Sequence, residues 1–176
     1  MPKKLMFQEL KTPRLTIRHL KPSDVDGLYN VLRDADVMRY IEPPFSREQT
    51  ASFVQTYGLC DNPKIFALIY DKSKQLIGHL IFHTFDDDTL ERKYGKGKVW
   101  ELGWILAKAY WHQGLATETT RHIIEYAKQA GICALVIECD PQCVATINIA
   151  AKFGFVKTSP TSSLSQTSLL TFVLPL

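Results

Sequence analysis

The chain has 176 residues, a length that argues for one domain spanning residues 1–176, large enough to bury a core without disulfide or metal staples. A hydrophobic fraction of 45% and a charged fraction of 22% exclude disordered, collagen-like and coiled-coil classes. Lys plus Arg (21) barely exceeds Asp plus Glu (18), too weak a bias for a dedicated binder of nucleic acid or membrane surface, though a mild positive excess suits an anionic small ligand. Cys60, Cys133, Cys139 and Cys143 form no C-x-x-C pair and match no zinc spacing, so reduced thiols in a cytoplasmic protein are expected, with Cys133 and Cys139 as core filler. The basic N-terminus is followed by no long apolar run, and no stretch approaches the ~18 residues of a membrane span.

In chain order, Leu15, Thr16, Ile17 and Arg18 alternate as a half-buried strand does. Pro22 and Ser23 open a helix with capping-box spacing from Ser23 to Asp26, carrying Val25, Leu28, Tyr29 and Leu32 at helical intervals. Pro43 and Pro44 break the chain. Ser46 and Gln49 make a second capping box, before a helix with Phe53, Val54 and Tyr57 on one face. Two helices therefore separate the first strand from the next, Ile65 to Tyr70. A turn over Asp71, Lys72, Ser73 and Lys74 leads to a return strand, Leu76 to Thr84. The charged run Asp86 to Lys98 reads as a mobile, solvated loop, and Val99 to Leu106 as a third antiparallel strand.

The second half changes character. Thr117 to Ala130 is helical, with Gly131 placed as a C-cap glycine. Ile132 to Cys139 is nearly all apolar, as in a strand buried on both faces. Val144 to Lys152 is a short helix closed by Gly154, Phe155 and Val156 begin a strand, Thr158 to Gln166 is a Ser/Thr-rich loop, and Leu169 to Leu174 is the last strand. The fold class is α/β (α+β), a mixed, mostly antiparallel central sheet flanked by helices, without a domain linker.

The most informative stretch runs from Trp100 to Thr119. A strand leads through Trp111, His112, Gln113, Gly114, Leu115 and Ala116 into a helix opened by Thr117. A small-residue loop entering a helix presents free backbone N–H groups, and the helix dipole adds partial positive charge, so the segment suits a phosphate or pyrophosphate. Gly114 and Ala116 permit close approach of a ligand. Neither G-x-x-x-x-G-K-[ST] nor G-x-G-x-x-G is present, which argues against a P-loop or a dinucleotide fold.

Glu101-Leu102-Gly103-Trp104 through Tyr110-Trp111-His112-Gln113-Gly114-Leu115-Ala116-Thr117-Glu118 resembles the acetyl-CoA-binding core of the GNAT N-acetyltransferases. Asp140-Pro141 through Lys152-Phe153-Gly154-Phe155 resembles its second half. Thr12-Pro13-Arg14-Leu15-Thr16-Ile17-Arg18 is similar to the opening strand of the RimJ/RimL-like branch, which modifies ribosomal-protein N-termini. The three motifs stand in the right order over nearly the whole chain.

The resemblance implies an N-acetyltransferase that moves acetyl from acetyl-CoA to a primary amine, by direct attack in a ternary complex and without metal. It places the pyrophosphate loop on Trp111 to Ala116, with Trp111 where the family often has Gln or Arg. It pairs the pantetheine arm with Ile105, Leu106 and Ala107, and sets an oxyanion-stabilising N–H near Trp104 or Ile105. Glu101 is the candidate general base, since the attacking amine must be neutral and a carboxylate can take its proton directly or through water. Cys143 stands where the family usually carries Asn, and Thr146 where it carries Ser, a hydroxyl that could donate to the leaving sulfur. No Tyr follows the last helix to serve as general acid.

Tyr40 and Glu42 fall in the segment that usually lines the acceptor site, and His79 and His83, on one face of one strand, make no metal pair for want of a third ligand and are expected to face that cleft instead. The expected partners are acyl-CoA and an amine, either a protein N-terminus or a small amine, with no nucleic acid and no membrane; exposed strand edges would suit a homodimer. A non-catalytic acyl-CoA sensor on the same fold is the alternative that Cys143 and the absent Tyr leave open.

Overall fold

The computed structural model describes residues 7–158 and 168–176. Eight strands hydrogen-bond in the order β1-β2-β3-β4-β5-β6-β8-β7. They are β1 (Glu9–Lys11), β2 (Leu15–Arg18), β3 (Ile65–Tyr70), β4 (Gln75–Thr84), β5 (Val99–Leu106), β6 (Ala134–Cys139), β7 (Val156–Thr158) and β8 (Leu170–Pro175). The helices are α1 (Val25–Leu32), α2 (Ala35–Met38), α3 (Arg47–Tyr57), α4 (Asp88–Tyr94), α5 (Leu115–Gln129) and α6 (Val144–Lys152). Pairing is antiparallel in β1–β2, β2–β3, β3–β4, β6–β8 and β7–β8, and parallel in β5–β6, so the sheet is mixed and mostly antiparallel as expected. The chain forms two compact units, one of residues 1–81 and 104–115, the other of residues 82–103 and 116–176.

In the first unit, α1, α2 and α3 press Leu28, Val31, Leu32, Met38 and Val54 against Ile65, Ala67 and Ile69 of β3. The Ser46–Gln49 capping box is present in both directions: Gln49 N–H donates to Ser46 Oγ at 3.1 Å and Ser46 N–H to Gln49 Oε1 at 2.7 Å. The box expected from Ser23 to Asp26 does not form. Instead Asp24 Oδ2 accepts from Lys21 N–H at 2.7 Å, and the Asp24 carboxylate takes two bonds from the Arg18 guanidinium at 2.7 and 3.0 Å. Burial pushes the Asp24 carboxyl upward, but these bonds outweigh it and hold the group below the usual carboxylate range. Three helices, not two, separate β2 from β3, because Asp34 caps the extra turn of α2 by accepting from Asp36 and Val37 N–H.

Strand β2 is more buried than its alternation suggests: Leu15, Thr16 and Ile17 are all inside, and the Thr16 hydroxyl donates to Asp71 Oδ1 at 2.6 Å. Both its edges are paired, one by β1, a strand the sequence pattern did not mark. His79 on β4 is only 1% exposed, lies edge-on to Phe53 at 5.5 Å, and finds no hydrogen-bond partner for either ring nitrogen among the described residues. Burial holds the imidazole neutral, with its pKa lowered to about 4. An unfolded histidine titrates near ~6.5, so between those values the unfolded chain binds more protons and stability falls as pH falls. The loss through His79 amounts to about 3 kcal/mol between neutral pH and pH 4. Urea denaturation of His79→Leu at pH 7 and pH 4 should show a smaller acid loss than wild type by that amount; equal losses would refute the assignment.

In the second unit, Val99, Ala134, Val136 and Val173 form a core with Leu90, ringed by Phe85 and Tyr94. Leu90 and Tyr94 belong to α4, which replaces the mobile loop expected over Asp86 to Lys98. Asp87 caps that helix by accepting from Leu90 N–H at 2.9 Å, and two apolar residues four apart supply the buried stripe. Strand β6 is buried on both faces except at half-buried Glu138. Gly131 adopts φ 73° after α5, as expected of a C-cap glycine. Cys139 is buried, and burial pushes its thiol up to about 11. Cys133, expected in the core, is only partly buried, because β6 begins one residue later. Most of the Thr158 to Gln166 loop lies outside the described residues.

Candidate active site

Two sets of site residues come together, each within its own unit. The first is the end of β5 and the loop into α5. Phe85 N–H donates to Val99 O at 2.8 Å and Ala107 N–H to Ile77 O at 2.7 Å, pairs whose numbers run oppositely and so set β5 antiparallel to β4. Ile105 and Ala107 pack against the first core. The backbone of β5 passes so close to β4 here that a Cβ on Gly78 would stand 1.9 Å from Ile105 O.

Trp111 is half-buried at the start of the loop. Its side chain packs on the same core and its indole N–H donates back to Leu106 O at 2.8 Å, while its backbone N–H donates to Lys108 O. The two residues that turn the loop are His112 (φ 57°) and Gly114 (φ 76°), both left-handed. Gly114 was expected there; His112 carries the same conformation at a cost that non-glycine residues rarely meet. Gln113 bridges the loop, its amide donating to Ala109 O and its carbonyl accepting from Arg14 Nη1 at 2.8 Å. Arg14 was not singled out as a site residue, yet Nη2 lies 3.5 Å from where a Gly114 Cβ would be. The loop thus combines a backbone that glycine leaves open with a guanidinium beside it.

The helix opens at Leu115, two residues before Thr117. Leu115 is buried, so only its backbone can serve a ligand. The first-turn N–H groups of a helix have no intrahelical acceptor, and an anion there meets the positive end of the dipole. A 3₁₀ turn over Lys108–Tyr110 holds the loop's entrance, with Lys108 bonded to Asp36 and Tyr110 edge-on to Tyr70.

The second set lies in the other unit. Glu101 stands on the last register pair of the parallel β5–β6 ladder, opposite Val136. Its Oε2 is 3.1 Å from His83 Nε2, and both side chains are roughly four-fifths buried, at 23% and 22% exposed. His83 Nδ1 is 2.8 Å from Thr84 O. Glu138, on β6, was not foreseen, since a single charge inside an apolar run carries no motif. Burial first, and then the charges of Glu101 and Asp87, raise its carboxyl, while Thr171 Oγ1–H at 3.3 Å works the other way.

On α6, Cys143 is the N-cap residue without a side-chain cap, and its Sγ lies 3.2 Å from Thr146 Oγ1. The two residues that replace the family's Asn and Ser are therefore bonded to each other. Tyr40 and Glu42 sit exposed in the turn after α2. No group of three metal-ligating side chains occurs among the described residues.

The structure thus sets a mixed sheet flanked by helices beside a strand-to-helix loop that turns left-handed at His112 and Gly114. Residues 14–156 match the family model described as the acetyltransferase (GNAT) domain, and the chain belongs to that family. Its acyl donor is accordingly acetyl-CoA. The uncharacterized N-acetyltransferase YnaD of Bacillus subtilis is 29% identical over 147 residues, covering 82% of this chain and 81% of its own. A GNAT-family acetyltransferase structure from Bacillus anthracis superposes with a TM-score of 0.77 at 23% identity, covering 96% of this chain and 97% of its own. RimL, a ribosomal L7/L12 α-N-protein acetyltransferase solved with coenzyme A in a disulfide to one of its cysteines, superposes with a TM-score of 0.74 at 17% identity, covering 96% and 98%.

Proposed function

We propose that the acceptor is a primary amine, the α-amine of a protein N-terminus or a small amine, and that Glu101 takes its proton. The observation that carries this reading is the largely buried Glu101 carboxylate paired with His83, on the strand that runs on into the loop of Trp111 to Thr117. The fold likeness to RimL, which acts on a ribosomal-protein α-amine, favours the N-terminal acceptor and the RimJ/RimL-like branch. The family match spans residues of both units, which supports reading 1–176 as one domain.

In this reading the left-handed His112–Gly114 turn, the first-turn N–H groups of α5 and Arg14 hold the pyrophosphate of acetyl-CoA. Ala107 N–H is committed to Ile77 and one lone pair of Leu106 O to Trp111. The pantetheine arm is left to pair with Trp104, Ile105 and the other Leu106 groups. A backbone N–H at Trp104 or Ile105 stabilises the oxyanion as the amine attacks the thioester carbon. The C–S bond then breaks, and coenzyme A leaves as its thiolate. Positioning two bound substrates supplies much of the rate. Tyr40 and Glu42 receive the incoming cation.

A panel of acceptors tests the reading. Peptides with a free amino terminus, the same peptides N-terminally blocked, polyamines and aminoglycosides are incubated with acetyl-CoA and analysed by mass spectrometry. Acetylation of a free amine with none on its blocked counterpart is expected; transfer to hydroxyl or thiol acceptors alone would overturn the amine assignment.

A further inference from the structure

The carbonyl oxygen of Thr84 can only accept, so His83 Nδ1 must carry a proton to make its 2.8 Å contact. A neutral imidazole with Nδ1 protonated has a bare lone pair on Nε2. That nitrogen points at a carboxylate oxygen 3.1 Å away, itself only an acceptor when ionised. Two acceptors at hydrogen-bond distance repel unless a proton lies between them. The arrangement therefore describes a pair holding one more proton than a neutral histidine and an ionised glutamate would hold separately.

We propose that His83 and Glu101 act as one base: Glu101 accepts the proton from the acceptor amine and His83 Nε2 stores it. This rests on Glu101 being the base, as argued above. The amine N–H bond breaks, the carboxylate carries the proton across, and an Nε2–H bond forms, leaving an imidazolium against a carboxylate. The neighbouring charges favour that product. Glu138 on β6 lies within electrostatic reach both of Glu101 and of Asp87, the N-cap residue of α4, so further carboxylate charge stands near the Glu101 side of the pair. The Glu101 carboxylate, 3.1 Å from Nε2, stabilises an imidazolium there. Thr84 O fixes the ring's tautomer and orientation, as a second partner does for a working histidine generally. A lone carboxylate near ~4.3 is poorly matched to an amine near ~8, whereas a pair that takes up its proton at a histidine is far closer. His83 thus enters the site as the partner of Glu101, rather than only as a lining residue of the acceptor cleft.

Side-chain ¹⁵N NMR over a pH series tests the pair without reference to turnover. In wild type, Nδ1 stays protonated throughout, while Nε2 titrates with a midpoint above the ~6.5 of a free histidine. In Glu101→Gln that midpoint falls by about one unit or more, since the stabilising charge is gone. The same His83 midpoint in both proteins would overturn the proposal. The pH dependence of kcat, measured on the amine found by the acceptor panel, supplies the second readout. Its acid limb reports the base in the ternary complex, and the rate rises with pH as the pair loses its proton. His83→Gln, which still donates to Glu101 but cannot titrate, should move that limb to lower pH and cut the plateau about tenfold or more. An unmoved limb would refute proton storage at His83. Coupled titration by NMR alongside a kcat indifferent to Glu101→Gln would instead remove Glu101 as the base, and this proposal with it.

Discussion

Replacing Gly78 with alanine should lower the unfolding midpoint by about 6–12 °C, the equivalent of about 3 kcal/mol in a chain of this length. The added Cβ would stand 1.9 Å from Ile105 O, 2.9 Å from Ile105 C and 3.0 Å from Leu106 Cα. All three atoms are backbone, so no side-chain rotation relieves the clash, and β4 and β5 must separate where Ala107 N–H bonds Ile77 O. Gly78 is buried, with no solvent side to which the strand could move. The displaced residues, Ile105 and Leu106, are those proposed to meet the pantetheine arm, so acetyl-CoA should also bind more weakly. Gly27→Ala is the control. Its Cβ would meet only the Leu76 side chain, at 3.4 Å, and it lies inside α1. Alanine in a helix interior is favoured over glycine by about 0.5–1 kcal/mol, so that variant should match or exceed wild type. A Gly78→Ala midpoint within 2 °C of wild type, roughly 1 kcal/mol at most, would show that the two strands do not approach as described.

Glu101→Gln should reduce kcat/KM by about 10²–10⁴, the usual contribution of a general base, and leave acetyl-CoA affinity unchanged. Glutamine is isosteric, and its amide can donate to the bare Nε2 of a neutral His83, so the fold and the pair's geometry survive while the basicity is lost. Steady-state kinetics with the identified amine and calorimetric titration of acetyl-CoA separate the two quantities. An acyl-CoA sensor on this fold would bind acetyl-CoA equally in both proteins and turn over in neither. Full activity in the variant would move the base elsewhere, with Glu138 next in line. That carboxyl is already pushed upward by burial and by Glu101 and Asp87.

What was legible in the sequence was mostly backbone. Ile65–Tyr70, Val99–Leu106 and Val144–Lys152 follow from apolar runs and their Gly, Pro and Asp boundaries, and coincide with β3, β5 and α6. The Ser46–Gln49 box is a local pattern, and local hydrogen bonds carry it. The Ser23–Asp26 spacing looked equally good but lost to a neighbouring one, since Asp24 takes the Lys21 N–H and is held by Arg18, six residues earlier, in two further bonds. Charge hid α4, where Leu90 and Tyr94 alone mark the inner face. The turn into α5 was readable from Gly114 and the helix start, but the way the loop is held was not. Arg14 bonding Gln113 O is a contact between distant parts of the chain, and Trp111 turning its indole back onto Leu106 O follows no motif. The same holds for His83, whose role depends on a strand neighbour that no spacing rule connects to Glu101.

The measurement that most directly tests the central claim, an acyl-CoA site built on the Trp111 to Thr117 loop, is thermal unfolding with acetyl-CoA, free CoA or ATP. A ligand at 100 times its dissociation constant stabilises the folded state by about 2.7 kcal/mol, a rise of roughly 5–11 °C here. A rise of that size with both CoA species and none with ATP is the predicted result. An unchanged midpoint in saturating acetyl-CoA would contradict the account.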